Sequence, residues 1–285
     1  MTRITSLAKA TLYSFLLTAA ACSKNNDNST PDPVTPSGPS VKLATSSKFG
    51  SVLTDSTGRT LYFFAIDANG SSGCTGGCVT AWPVFYKANP TLAEGLKATD
   101  FGVITRADGA KQTTYKGWPL YYYQNDTKAG EINGDAVGGT WFVAKPDYTV
   151  MLANAQLVGN NGTQYTSQYT PGQEVTQYLT DDYGRTLYAF KPDKFKKNTY
   201  TKPDFSNNAT WPLFETSALK GIPSTLQANL FDTVQVFGKV QLSFKGWPLY
   251  YFGSDAMTRG NTKGVSVPQP GVWPIVNNNS TPAIP

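Results

Sequence analysis

Four copies of one short pattern contain the side chains that could carry chemistry in this 285-residue chain. Each copy reads Leu-Tyr, any residue, an aromatic residue, two further residues and then Asp. The Tyr, aromatic and Asp residues of the copies are Tyr62, Phe64 and Asp67; Tyr121, Tyr123 and Asp126; Tyr188, Phe190 and Asp193; and Tyr250, Phe252 and Asp255. Four carboxylates beside aromatic rings could line sites for Ca²⁺, for a sugar or for a peptide.

Packing is the other explanation of the same pattern. In a strand, Tyr62 and Phe64 point to one face, while Asp67 follows the strand and could accept hydrogen bonds from backbone amides of the next loop. A buried tyrosine hydroxyl needs a partner, and the Asp of a neighbouring copy could accept its proton. Because Ca²⁺ takes six to eight oxygen ligands, one Asp in each copy favours packing over a calcium site.

A tryptophan follows each copy at a regular distance. The gap from the motif Asp is 15 residues in the first two copies and 18 in the last two, and the tryptophans are Trp82, Trp141, Trp211 and Trp273. The strings GRTLY and KGWPLYY each occur twice, 126 and 129 residues apart. The chain is therefore an A-B-A′-B′ array made by internal duplication, and the link between motif and tryptophan indicates a shared core.

Local patterns predict an all-β fold. SVLTDSTGRTLYFFAI reads as strand, turn and strand, and FGVITRADGAKQTTYKGWPLYYY reads as three strands joined by turns. One meander of this size is too small to be stable alone. We therefore expect four antiparallel β-meander repeats packed as a pseudo-twofold domain, propeller- or sandwich-like. The predicted bounds are 47–153 for repeat pair 1, 154–174 for a linker and 175–285 for repeat pair 2.

Cys74 and Cys78 are the second candidate for chemistry. Only Thr-Gly-Gly separates them, and in an exported protein such a pair favours a disulfide. The alternative is a redox pair in an electron-transfer accessory of the cell envelope. Two sulfurs do not complete a zinc site, which takes four ligands, so we predict neither a metal nor a cofactor.

Histidine is absent, which excludes Ser-His-Asp and Cys-His catalysis and zinc or haem sites that use His ligands. No nucleophile motif and no acid/base pair of carboxylates marks an active site, so a non-catalytic role is favoured over the alternative of an enzyme that uses paired Asp and Tyr side chains. The net charge is +5, and the basic residues are scattered along the sequence, with KFKK at residues 194–197 as the only basic cluster. A single short run is typical of a solvated loop, and we predict no nucleic-acid partner.

The N-terminal segment predicts export and anchoring. Arg3 and Lys9 precede an 11-residue apolar stretch that is too short to span a bilayer, so residues 1–21 read as a signal peptide. Its end resembles the lipobox of bacterial lipoproteins, which predicts a lipid on Cys22 that would anchor the chain to a membrane. Residues 22–46 are polar and Pro-rich and predict a disordered tether.

The tandem motifs after this N-terminal segment resemble a known family. Tyr-x4-Asp copies with a second aromatic residue are typical of the secreted repeat family of bacterial lipoproteins, whose function is uncharacterised. CTGGCVTAWP, residues 74–83, is similar to a Cys-x3-Cys followed by Trp-Pro in that family, whereas the matching segment of repeat A′ keeps Trp-Pro and has no cysteine. The resemblance covers about residues 47–278. It implies no activity that could be carried over to this chain.

Together these observations predict a lipoprotein of the bacterial cell envelope, in the periplasm or at the cell surface. Its repeat domain would be a non-catalytic binding or structural module. Aromatic runs at residues 121–123 and 250–252 could be exposed, where they would stack on a carbohydrate or a protein partner, or covered by neighbouring repeats. We therefore expect a membrane contact through the lipid and a carbohydrate or protein partner at the cell surface.

Overall fold

Short antiparallel strands form where aromatic and β-branched residues alternate between turns. The computed structural model describes residues 38–285, and this part of the chain contains thirteen strands. The strands are β1 (Val41–Ser46), β2 (Gly50–Asp55), β3 (Tyr62–Phe64), β4 (Phe101–Thr105), β5 (Lys111–Tyr115), β6 (Trp118–Pro119), β7 (Trp141–Val143), β8 (Met151–Val158), β9 (Gln164–Tyr165), β10 (Val175–Thr180), β11 (Phe231–Val236), β12 (Lys239–Phe244) and β13 (Trp247–Pro248).

Helical structure is limited to short segments. One α-helix, α1 (Cys78–Ala81), starts at the second cysteine of the pair. Six 3₁₀ segments cover Ala65–Asn69, Ala98–Asp100, Val137–Gly139, Ala228–Leu230, Gly253–Asp255 and Lys263–Ser266. Across residues 38–285, none of these helices has the length and apolar character that a membrane crossing requires.

The strands pair into five small antiparallel sheets. Their orders are β1-β2, β3-β7, β4-β5-β6, β10-β8-β9 and β11-β12-β13. The all-β prediction with repeated antiparallel sheets is confirmed, and the finer expectation of propeller- or sandwich-like packing stays a prediction.

Repeats B and B′ have the same sheet with the same turn. In both, the Lys-Gly of KGWP forms a two-residue connection between the last two strands. Lys116 and Gly117 have φ of 48° and 79°, and Lys245 and Gly246 have φ of 51° and 83°. A two-residue hairpin of type I′ needs positive φ at both central positions, which explains why Gly stands second in each.

The hairpin predicted around GRTLY is shorter than expected. β2 turns back at Asp55, and the chain returns beside it through a bridge between Thr54 and Thr60. The motif strand β3 then leaves β2 and pairs with β7 of repeat B. A single repeat is therefore not a self-contained meander, because its motif strand finds its partners in the next repeat.

Two predicted boundaries were wrong. The tether was placed over residues 22–46, but Val41–Ser46 form β1, because the apolar side chains of Val41 and Leu43 pack on the core and the strand pairs with β2. The linker was placed over residues 154–174, but its start completes β8 and its middle contains β9. Leu157 of β8 is fully buried, so this segment is held in the sheet by burial.

Both halves contribute to one core. The largest cluster of buried apolar side chains includes Phe63 and Trp118 from the first half and Tyr178 and Trp273 from the second. Residues Gly38–Pro285 form one compact unit by their internal contacts. The motif copies therefore lie in a framework that the two halves stabilise together.

Candidate functional site

The motif tyrosines pair through their backbones in two sets. Tyr62 and Tyr121 exchange both N–H···O=C hydrogen bonds, with N···O distances of 2.8 and 3.1 Å, and Tyr188 and Tyr250 exchange theirs at 2.9 Å each. An antiparallel pair of this kind is locally two-fold symmetric. Repeat A therefore faces B, and A′ faces B′, so that each half of the chain holds one symmetric pair of motifs.

The side chains repeat this exchange. Each motif Tyr donates its hydroxyl proton to the Asp of the partner copy and not to the Asp of its own copy. The oxygen–oxygen distances are 2.5 Å for Tyr62–Asp126, 2.6 Å for Tyr121–Asp67, 2.6 Å for Tyr188–Asp255 and 2.7 Å for Tyr250–Asp193. All eight residues are buried, so the four hydrogen bonds are shielded from solvent.

The second carboxylate oxygen of each Asp closes the loop that follows it. In every copy, Oδ1 accepts the backbone amide of a residue six to eight positions later. The nitrogen–oxygen distances are 2.7 Å from Gly73 to Asp67, 2.9 Å from Asn133 to Asp126, 2.7 Å from Thr199 to Asp193 and 2.9 Å from Lys263 to Asp255. Both oxygens of all four carboxylates thus have internal donors.

Burial changes the acidity of these carboxyl groups. Desolvation raises the pKa of Asp67 to about 7 and the pKa of Asp193 and Asp255 to about 6, against the opposing effect of the tyrosine and amide donors. Desolvation also raises the pKa of Asp126. Burial therefore makes each of these four carboxyl groups easier to protonate than an exposed aspartate.

The second aromatic residue of each motif joins a stack of four rings. In the first half the order is Phe64, Trp141, Trp82 and Tyr123, with centroids 3.9, 3.8 and 4.3 Å apart. In the second half the order is Phe190, Trp273, Trp211 and Phe252, with centroids 4.3, 3.7 and 4.3 Å apart. Each motif ring therefore contacts the tryptophan of the partner repeat, and the two tryptophans lie in the middle.

A glycine makes room for each stack. A Cβ on Gly134 would lie 2.9 Å from both Trp82 and Tyr62, and a Cβ on Gly264 would lie 2.8 Å from Trp211 and a similar distance from Tyr188. The amides of Gly134 and Gly264 also donate to the tyrosine hydroxyls at 3.3 Å. A side chain at either glycine would displace a ring of the stack.

The aromatic runs are mostly covered. Tyr121 and Tyr250 are fully buried, and Phe252 is 4% exposed. Tyr122 is half-buried and donates its hydroxyl to Asp55 at 2.9 Å. Of the two expectations for these runs, coverage by neighbouring repeats is therefore the one that holds.

Two buried glutamines were missed from the sequence. Gln112 and Gln241 are fully buried, and their side-chain amides donate to the carbonyls of Leu120 and Leu249 at 2.9 and 2.8 Å. They hold the strand that leads into each B-type motif. Their spacing of 129 residues equals that of KGWPLYY, and this signal could have identified them.

Arg106 is a buried cation that belongs to the first half alone. Its guanidinium donates to Gln112 at 2.9 Å, to the carbonyl of Cys74 at 2.7 Å and to the Ser72 hydroxyl. In the second half, Asn198 donates to the equivalent Gln241 at 2.8 Å. Because one buried Arg leaves no periodic pattern, the sequence did not indicate it.

Cys74 and Cys78 form a disulfide, with a Cα–Cα distance of 5.3 Å. The loop just before it carries Ser72 and Gly73. The Ser72 hydroxyl lies 2.6 Å from the hydroxyl of Tyr121, and the Gly73 amide is the donor to Asp67. The disulfide therefore pins the loop that completes one exchanged pair.

A cleft of about 410 Å³ lies where the two halves meet. Its walls include Asp100 and Lys116 from the first half and Tyr183, Met257 and Arg259 from the second. The Tyr183 hydroxyl is 3.3 Å from the Asp100 carboxylate, and 42% of Tyr183 is exposed. An aromatic face and charged groups from both halves therefore converge on one open depression.

Arg259 connects the two halves at the floor of this cleft. Its side chain donates to the carbonyls of Ala68 and Lys116 at 2.8 and 3.0 Å, and its guanidinium lies 4.7 Å from the centre of the Trp118 ring. Lys116 pairs with Asp182 of the second half at 2.7 Å. These contacts of Arg259 and Lys116 therefore join the two halves beside the cleft.

Cys22, the predicted lipidation site, lies outside the described residues, as does most of the tether. Within residues 38–285, no group of three or more His, Cys, Asp or Glu side chains is arranged to hold a metal ion.

Comparison with known proteins supports the repeat interpretation. The family described as a secreted repeat of unknown function, Lipoprotein_15, matches twice, at residues 44–86 and 102–145, which are repeats A and B. No curated protein and no solved structure matches the chain. These two stretches of the chain are similar to secreted repeats, and a secreted repeat indicates an extracellular or envelope protein.

Proposed function

We propose that this chain is a bacterial cell-envelope lipoprotein, attached to a membrane through Cys22, whose repeat domain is a non-catalytic module that binds a partner at the cell surface. The observation that carries this proposal is the reciprocal Tyr–Asp exchange. Because every motif carboxylate has internal donors on both oxygens, the motif supports the fold and leaves recognition to the loops and the cleft.

The cleft between the halves is the proposed binding site, and a carbohydrate is the proposed ligand. Sites for small polar ligands combine an aromatic surface with a few placed polar groups. Tyr183 supplies an exposed ring and Asp100 supplies an acceptor, while the Lys116 ammonium group keeps one hydrogen beyond the two that its internal acceptors take. A sugar ring presents an apolar face for stacking and hydroxyls for both kinds of partner.

Binding to a glycan array followed by calorimetry tests the ligand. We expect a glycan that binds the wild-type protein and loses its affinity in Tyr183→Ala. Tyr86→Ala is the matched control, because Tyr86 is 44% exposed and lies outside the cleft. Equal loss in both variants would contradict the site, and a protein partner that depends on Tyr183 would replace the carbohydrate as ligand.

Metabolic labelling with palmitate tests the anchor. We expect label in the wild-type protein and none in Cys22→Ala. Cys78→Ala is the control for thiol labelling elsewhere in the chain. Label that persists in Cys22→Ala would contradict the lipoprotein assignment.

The alternative function is that of a redox or electron-transfer accessory that uses Cys74 and Cys78. The disulfide favours this alternative only if it cycles, and its loop supplies donors to Tyr121 and Asp67 in the oxidised form. Trapping of thiols in intact cells separates the two functions. A pair that stays oxidised throughout growth supports the structural role, whereas a reduced fraction that changes with respiration supports the redox role.

A further inference from the structure

The loops that follow Asp67 and Asp193 occupy the same place in the repeat but carry different chemistry. In repeat A the loop of residues 68–78 has no charged side chain and is closed by the disulfide. In repeat A′ the loop of residues 194–202 contains four lysines and no carboxylate. The duplicated frame therefore presents a cationic loop on one copy alone.

The cationic loop begins with a tight turn that is hydrogen-bonded to the backbone of Gly246. Lys194 and Lys197 exchange backbone hydrogen bonds at 3.2 and 2.9 Å, and the turn between them is called here the Lys194–Lys197 turn. Lys196 has φ of 53°, and its amide donates to the carbonyl of Gly246 at 2.7 Å. Because a positive φ is uncommon outside glycine, this contact helps to fix the shape of the turn.

Two apolar side chains project beside the lysines. Phe195 at the tip of the turn is 47% exposed, and Ile284 is 68% exposed. The two are neighbours, because the amide of Phe195 donates to the carbonyl of Ile284 at 2.8 Å. Phe195 also lines a groove of about 510 Å³, together with Leu230, Phe231 and Pro282. Phe195 and Ile284 thus form an exposed apolar patch beside this groove.

The charges around this patch are mostly uncompensated. Lys196 pairs with Asp232, whereas Lys191, Lys194 and Lys197 are exposed and have no carboxylate within 4.0 Å among residues 38–285. Lysine stems can cover apolar surface while their ammonium groups stay in water. The face is therefore apolar at its centre and cationic around it.

We propose that the Lys194–Lys197 turn docks on a membrane surface that carries anionic lipid headgroups. The lysines would contact the phosphates, and Phe195 and Ile284 would enter the boundary between headgroups and acyl chains, as the apolar face of an interfacial segment does. A lipid surface fits better than a nucleic acid, because an aliphatic side chain such as Ile284 gains burial among acyl chains and none on a phosphate backbone.

Vesicle sedimentation with the full chain carrying Cys22→Ala tests this inference without any attached lipid. The vesicles are phosphatidylcholine alone and phosphatidylcholine with phosphatidylglycerol. We expect stronger binding to the anionic vesicles, with a difference that shrinks as salt is added, because salt screens exposed charges. The apolar N-terminal stretch is common to all variants and cancels in their comparison.

Two variants on this background locate the contact. Lys194→Gln/Lys197→Gln is expected to lower partitioning to anionic vesicles roughly 30-fold. Each lysine near an anionic surface contributes about 1 kcal/mol, and about 1.4 kcal/mol corresponds to a tenfold change in partitioning. Phe195→Ser is expected to lower it roughly tenfold through lost apolar burial. The control Lys87→Gln/Lys97→Gln removes the same charge from exposed lysines of the first half and should bind as the parent does.

Several outcomes would overturn the inference. Equal binding to both kinds of vesicle would show that anionic headgroups are not recognised. Equal weakening by the two double lysine variants would show that binding depends on the net charge of the protein and not on this turn. Binding to DNA but not to vesicles would assign the turn to nucleic acid. Circular dichroism of each variant separates loss of fold from loss of contact. Palmitate labelling of the wild-type protein reports the anchor independently.

Discussion

The hydroxyl of Tyr62 donates to Asp126, which lies 64 residues later in the chain, and not to Asp67 of its own motif. Tyr121 returns the bond to Asp67, so the two repeats hold each other through identical groups. The same exchange joins the repeats of the second half. Each motif is therefore one half of a symmetric contact between two repeats.

Removal of one hydroxyl should destabilise the protein measurably. Tyr62→Phe leaves a buried oxygen of Asp126 without its donor, and we expect the free energy of unfolding to fall by about 1–3 kcal/mol. Urea denaturation measures the change. Tyr183→Phe removes an exposed hydroxyl and should change stability by less than about 0.5 kcal/mol.

Double-mutant cycles should show coupling between repeats. The pair Tyr62→Phe and Asp126→Asn should have a coupling energy of about 0.5–3 kcal/mol, because Phe lacks the hydroxyl donor and Asn offers one acceptor oxygen where Asp126 uses two. The pair Tyr62→Phe and Asp67→Asn, within one motif, should be closer to additive. A larger coupling within the motif than across repeats would contradict the exchange.

Stability should fall as the pH rises from mild acid to neutral. The folded-state pKa values of Asp67, Asp193 and Asp255, at about 7, 6 and 6, lie above the unfolded value. The folded protein therefore binds more protons than the unfolded chain between about pH 4 and about pH 7, and linkage requires stability to decrease over that window. The melting temperature measured across this range checks the sign.

Asp67→Asn should flatten the neutral end of this pH profile, because Asp67 has the highest of the three values. Asp204→Asn, at an exposed carboxylate, is the control and should leave the slope above about pH 5 unchanged. A wild-type melting temperature that rises from mild acid to neutral pH would show that the buried carboxyl groups stay charged.

Loss of one central indole should disrupt a ring stack. Trp141 lies between Phe64 and Trp82, with centroids 3.9 and 3.8 Å away, and we expect Trp141→Ala to cost about 3–5 kcal/mol. Near-ultraviolet circular dichroism should lose intensity, since it reports ordered aromatic contacts. Trp247→Ala, at a half-buried indole outside the stacks, should have a smaller effect on both quantities.

Loss of the disulfide should have a moderate effect. The closed loop from Cys74 to Cys78 is short, and the chain-entropy relation gives about 2 kcal/mol for Cys74→Ser/Cys78→Ser. The wild-type protein in reductant should match the double variant, and reductant should not change the variant further. Complete unfolding of the variant would show that the disulfide supports more than its local loop.

Repetition made much of this structure predictable. The motif spacing and the tryptophans indicated four related β units, and the all-β architecture follows from them. The sequence suggested that the Asp of a neighbouring copy accepts each Tyr proton, but not which copy, because that choice depends on the pairing of Tyr62 with Tyr121 across a long loop. Arg106 could not be predicted for a related reason, because only the fold brings the carbonyl of Cys74 from a distant segment to its guanidinium group.

The reciprocal exchange also constrains how such arrays can grow. A copy added singly would bring one buried hydroxyl and one buried carboxyl group with no counterpart, at a cost of about 1–3 kcal/mol for each unmet group. Two copies added as a pair bring no unpaired group, because each Tyr donates to the Asp of the other copy. Arrays of this type should therefore contain even numbers of copies, because a duplication that adds two paired repeats leaves no buried polar group without a partner.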